Sequence, residues 1–146
     1  MRSTSVFNKV YKRLKTFAKD SSGVSAILLA LLAIPIMGAI GLSVDLGRAY
    51  VLKSKLSTAL DAAGLAAGRV IFMDDAVVRE DAQKFFEANF VDGYMNADVS
   101  ALDISWDANR ENIELKVHAD LGTSFLSVLG YGEVTVGART VINRVN

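Results

Sequence analysis

The chain has 146 residues, room for one modest domain with accessory segments, and half of them are hydrophobic. Cysteine is absent, which excludes disulfides and thiol chemistry; any domain in an oxidising compartment must be held together by packing alone. Formal net charge is zero, but six basic residues precede Asp20, whereas the chain beyond Val44 carries ten basic and fifteen acidic residues.

Residues 1–22 are polar and basic, with Arg2, Lys9, Lys12, Arg13, Lys15 and Lys19. Phe7, Tyr11, Leu14 and Phe17 or Ala18 fall at helical spacing, which predicts a short amphipathic helix on the inner membrane surface. From Gly23 to Val44 no residue is charged. A helix rises about 1.5 Å per residue, so this run covers about 33 Å, against about 30 Å for a hydrocarbon core. A buried core helix would show a polar stripe, and none is visible. A cleaved secretory signal would have a shorter apolar core ending at a small-x-small site. An uncleaved single-pass anchor is expected. Basic residues beside a first span are retained on the cytoplasmic side, so the N-terminus is expected inside and the C-terminal part outside. Nucleic-acid binding by the basic tail is the competing reading; abutting a span, the tail is better explained as a topology signal.

The helical pattern does not stop at Val44. Ala49, Leu52, Leu56, Ala59/Leu60, Ala63, Ala66/Ala67 and Val70 recur at three- and four-residue steps, predicting one helix from about Val24 to Met73. Pro35 should kink it, because its ring blocks one backbone hydrogen bond. Asp74-Asp75 are placed to N-cap a second helix over Ala76 to Phe90, with Gly93 as its stop.

Beyond it the period falls to two. Leu102, Ile104 and Trp106 alternate with polar residues, as do Ile113, Leu115, Val117, Ala119 and Leu121 after the turn 108–112, which predicts a hairpin with one wet face. Ser124 to Leu129 suit a short helix or turn stopped by Gly130, and Val134 to Ile142 a last strand. Three strands alone bury little apolar surface, so the alanine-rich helix face is their expected partner. The fold class is therefore α+β: a single-pass long N-terminal transmembrane helix continuing into a small pilin-like domain with a three-stranded antiparallel sheet. The boundaries are a basic cytoplasmic segment (1–22), a transmembrane helix (23–44), its extracytoplasmic continuation (45–73) and a small domain packed on it (74–146).

The run Ser22-Gly-Val-Ser-Ala-Ile-Leu-Leu-Ala-Leu-Leu-Ala-Ile-Pro35, the exit Gly41-Leu-Ser-Val-Asp-Leu-Gly-Arg-Ala-Tyr50 and Leu56-Ser-Thr-Ala-Leu-Asp-Ala-Ala-Gly-Leu-Ala-Ala67 resemble the N-terminal segment of TadE/TadG-like proteins. These are assembly components or minor pilins of the Flp (Tad) type IV pilus system. The resemblance covers about residues 19–70, and Gly122 to Ala138 is similar to the end of short members. It implies a structural, non-enzymatic role with no cofactor. The implied partners are the membrane and other pilus components, TadE-like minor pilins and platform proteins, in a hetero- or homo-oligomer without nucleic acid; the implied place is a bacterial inner membrane with the C-terminal domain periplasmic. Longer TadG-like members append a von Willebrand A-type domain, for which this chain has no room. Gly23 stands where a prepilin peptidase would cut, but the fifth residue beyond it is Leu28 and not Glu, so an uncleaved TadG-type anchor fits better.

Several residues are candidates for interaction. Asp45 and Arg48 lie three apart at the outer membrane boundary. They read either as a solvated pair marking the end of lipid, or as a contact in which Asp45 meets a neighbouring subunit, since an acid near lipid is costly unless paired. Ala59, Ala63, Gly64 and Gly68 permit close packing, on the chain's own sheet or on another helix, and Gly38 and Gly41 could face another helix within lipid. His118 with Asp120, Asp103 and Asp107 invites a metal hypothesis, but no closed ligand spacing is present and none is expected. No catalytic or phosphate-binding motif occurs. The rival from another class is a membrane-tethered binding or adhesion module using the exposed sheet face.

Overall fold

A computed structural model of the chain describes residues 22–143. The expected amphipathic helix in the basic tail lies outside the described residues. The first element, α1 (Ser22–Arg69), is a single helix of 48 residues that includes Pro35. The chain divides after Ile40 into two units. The described part of the first is the opening of α1, whose Val24, Ile27, Leu28, Leu29, Leu31, Leu32, Ile34, Ile36, Met37 and Ile40 are all exposed. The helix is long and apolar enough to cross a membrane, once, by length and composition.

The second unit begins at Gly41, the first buried position of α1. From there Ala49, Leu52, Leu56, Ala59, Leu60, Ala63, Ala66 and Ala67 form one buried stripe, with the spacing of a single helix face. Helix α2 (Asp75–Asn89) follows a short turn and adds Val78, Ala82 and Phe86 to the core. Asp74 occupies its N-cap position without a side-chain capping bond; its carbonyl accepts instead from Val77 and Val78 at 2.9 and 3.2 Å. The helix ends one residue before Phe90, which is extended and stacks on Phe86. The stop is therefore Phe90, and Gly93, at φ 68°, opens the next turn instead.

The sheet has four strands, one more than the sequence pattern predicts: β1 (Asp98–Val99), β2 (Asp103–Trp106), β3 (Asn112–Gly122) and β4 (Glu133–Asn143). Strand β4 pairs antiparallel with β3 along its whole length, Asn112 opposite Asn143 through Gly122 opposite Glu133. A strand has two hydrogen-bonding edges, so β1 (against 119–120) and β2 (against 113–116) share the other edge of β3. The additional strand is a two-residue continuation of the first hairpin arm past a break at 100–102. Two residues carry no alternation, which is why the pattern did not reveal it.

Register puts Ile113 opposite Ile142, Leu115 opposite Thr140, Val117 opposite Ala138, Ala119 opposite Val136 and Leu121 opposite Val134. These pairs make the inner face, and the five β3 residues among them are buried together with the α1 stripe in one core. The opposite face is polar. There Glu114 is ion-paired with both Lys116 and Arg139.

Candidate interaction site at the helix and its loop

The loop joining β3 to β4 lies on α1. Gly41 has no side chain, and a Cβ there would stand 2.7 Å from Phe125 Cγ and closer still to Phe125 Cβ. Glycine is what allows the loop to reach the helix at this level. One turn further on, the Asp45 carboxylate accepts three backbone N–H groups: Ser124 (3.0 Å), Phe125 (2.9 Å) and Leu126 (2.8 Å). Asp45 is the buried charged residue of the described chain, 3% exposed. A buried carboxylate is costly unless its oxygens are bonded, and these three donors supply that compensation. The carboxylate in turn satisfies the N–H groups that open the 3₁₀ turn Leu126–Leu129. Arg48 adds bonds at 3.1 Å to the Gly122 carbonyl and to Ser124 Oγ, while its guanidinium stays 3.9 Å from Asp45.

Asp45, buried, and Arg48, about a third exposed, thus clasp a loop of their own chain. The loop is closed on itself as well. Thr123 N–H bonds the Gly132 carbonyl, Val128 that of Phe125, and Tyr131 that of Leu126. Gly130, at φ 92°, ends the turn in the left-handed region where glycine is favoured.

The small residues of α1 divide. Ala59 and Ala63 are fully buried in the core. A Cβ at Gly64 would lie 2.9 Å from Ile142 Cγ1 and 3.1 Å from Thr140 Cγ2, and one at Gly68 would lie 3.3 Å from Ile142 Cγ2, so both meet β4 of the same chain. Gly41 faces Phe125 of the same chain. Gly38 and Gly23 have open space around the position of a Cβ.

Arg110 was not singled out from sequence. It sits at φ 56° in the β2–β3 turn and bonds the carbonyls of Ile71 (2.6 Å) and Met73 (3.0 Å), and it pairs with Asp75. Its guanidinium and that of Arg79 lie 5.2 and 5.0 Å from the centre of the Trp106 ring. Asp107 shapes the same turn, accepting from the Asn112 side-chain amide and from the N–H groups of Glu111 and Asn112. The Asn112 amide, then those N–H groups, hold the Asp107 carboxyl below the usual carboxylate range. On the sheet's outer face the hydrogen bonds from Arg139 and Lys116 do the same for Glu114.

His118 stands opposite Gly137, where its ring fills the place of the missing side chain; a Cβ there would be 3.2 Å from His118 Cδ2. Among the described residues no group of three or more His, Cys, Asp or Glu is gathered to hold a metal ion.

The geometry therefore concentrates at one segment, the helix that supplies Gly41, Asp45, Arg48 and the alanine stripe. Residues 23–70 match the Tad family model, "Putative Flp pilus-assembly TadE/G-like". The chain carries a TadE/G-like segment. That segment coincides with α1 almost residue for residue, and it includes both the apolar opening of the helix and the face that holds the sheet. The match is to this helix alone and covers about a third of the chain. No curated protein and no solved structure matches the chain.

Proposed function

We propose that the chain is an assembly component of a Tad/Flp-type pilus system, fixed in the bacterial inner membrane by residues 23–44. The N-terminus lies in the cytoplasm, and residues 45–146 lie on the far side. The observation that carries this reading is the coincidence of the TadE/G-like match with one helix that is lipid-compatible at its start and core-forming at its end. The orientation follows from the six basic residues before the span, which favour retention inside. The chain works by contact with other pilus components, TadE-like minor pilins and platform proteins, as a hetero- or homo-oligomer. Asp45, Arg48, Gly41, Ala59, Ala63, Gly64 and Gly68 support this indirectly, by fixing the domain on its helix. Gly38 and the exposed apolar residues around it are left for helix contacts in lipid. Gly23 remains in the mature chain.

Deletion of the gene tests the role. Loss of Flp pili, restored by the full chain, is expected; normal pilus number and length in the deletion strain would refute it. Recovery of the protein from sheared pili would identify a filament subunit, and retention in the inner membrane an assembly tether. The N-terminal sequence of the mature protein tests retention of Gly23.

A further inference from the structure

The loop between β3 and β4 carries no charged residue from Leu121 to Gly132, although Asp120 and Glu133 flank it directly. Four of its large apolar side chains are exposed: Phe125 (49%), Val128 (86%), Leu129 (64%) and Tyr131 (66%). An isolated exposed leucine needs no explanation, but four in one uncharged loop form a patch. Their position supplies the reason. Phe125 lies against Gly41, which falls within the uncharged run ending at Val44. Gly41 precedes Asp45 by four residues, about 6 Å along a helix. Beside it Leu42, Val44 and Leu46 are exposed too. The loop is therefore held at a level of α1 where the helix itself is built for lipid.

We propose that the loop 122–132 is a second membrane contact, immersed in the leaflet where the span ends and presenting Phe125, Val128, Leu129 and Tyr131 to lipid. This rests on the reading of residues 23–44 as the span. Irregular backbone enters a bilayer only when its polar groups are satisfied. Here the Asp45 carboxylate takes the N–H groups of Ser124, Phe125 and Leu126, and the loop's own carbonyls take those of Val128, Gly130 and Tyr131. The same bonds solve the converse problem, because an acid at the edge of hydrocarbon is tolerated only when it has partners. Tyr131 at the loop's end suits the headgroup level. A bilayer, unlike most partner proteins, requires no complementary charge, and the loop carries none.

The absence of cysteine makes the test direct. The full chain is reconstituted alone, at low protein-to-lipid ratio, in phosphatidylethanolamine–phosphatidylglycerol vesicles. Nitroxide labels are placed one at a time through Val128→Cys, Leu129→Cys, Met37→Cys for the span and Ser105→Cys for the wet face of the sheet. All four side chains are exposed, so none of the substitutions disturbs the core. Collisions with oxygen, which concentrates in hydrocarbon, are compared with collisions with a water-soluble nickel chelate. Labels at 128 and 129 are expected to lose nickel accessibility to the level of the Met37 label and to gain oxygen accessibility relative to the Ser105 label. If they collide with nickel as freely as the Ser105 label while the Met37 label remains in lipid, the loop is wet and the proposal fails with the span intact. Shielding from both reagents would mean that a second copy covers the loop, which also overturns it. A Met37 label open to nickel would remove the span itself.

Discussion

Replacing Gly41 with alanine tests the seat of the loop at its tightest point. The new Cβ would lie 2.7 Å from Phe125 Cγ, short of an ordinary carbon–carbon separation of about 3.5 Å by about 0.8 Å. Its closest neighbour is Phe125 Cβ, which is fixed to the backbone, so no side-chain rotation relieves the clash. The loop must lift. Overpacking of this kind costs about 1–3 kcal/mol. The gain in helix propensity from glycine to alanine is present whether the loop is seated or lifted, so it cancels in the closed-to-open ratio. The loop seat should therefore weaken by about 1–3 kcal/mol, or roughly 5- to 150-fold in that ratio. Hydrogen exchange reads this directly at the amides of Ser124, Phe125 and Leu126, which bond Asp45. Their protection should fall by that factor, while amides within the β3–β4 ladder keep theirs. Gly38→Ala is the control, because open space surrounds it. Unchanged protection in Gly41→Ala, or an equal loss in Gly38→Ala, would refute the seat.

Asp45→Ala should abolish protection at the same three amides without unpairing β3 from β4; amide exchange again decides, and retained protection would mean that another acceptor holds the loop. Glycine substitutions facing β4 should be milder and graded: Gly64→Ala lowers the unfolding midpoint, whereas Gly68→Ala, whose Cβ would stand 3.3 Å from Ile142 Cγ2 and need only a few tenths of an ångström from that side chain, gains about 1 kcal/mol of helix propensity and leaves it unchanged or raised. Arg110→Ala should destabilise the domain by about 1 kcal/mol, chiefly through the half-buried Ile71 carbonyl that it leaves unbonded, since the exposed Met73 carbonyl bonds water instead. It should also alter the fluorescence of Trp106, the one tryptophan, and an unchanged urea midpoint would count against the clamp. Asp107 and Glu114 both have carboxyl groups held below their ordinary values. Their contribution is complete above the ordinary carboxylate range and disappears as pH falls through the lowered values, so acid should weaken the fold. Urea midpoints followed down in pH should fall less steeply for Asp107→Asn than for the native chain.

The long helix and the hairpin were legible because periods of 3.6 and 2 are written in side chains: the Ala49-to-Ala67 stripe and the Ile113-to-Leu121 alternation are both buried as the pattern implies. The seat of the loop was not legible. Asp45 reads as an acid needing a partner, but its partners are main-chain N–H groups, which every residue but proline carries and no sequence marks. The readable signals were the uncharged run from Leu121 to Gly132 and a glycine at position 41, and neither points to the other. Arg110 escaped for the same reason, since the turn was evident but its carbonyl acceptors, 37 and 39 residues away, were not.

The clasp around Asp45 also sets an order of events during synthesis. Its partners lie 79 to 81 residues further along the chain. At roughly 5–20 residues per second, the carboxylate waits on the order of 4–16 s before they exist. Throughout that interval the acid has Arg48, one turn on, but none of the three N–H groups that bury it. Only when β3 and β4 have formed can the loop arrive and relieve it. The bonds that bury Asp45 are thus among the last of the domain that synthesis makes possible.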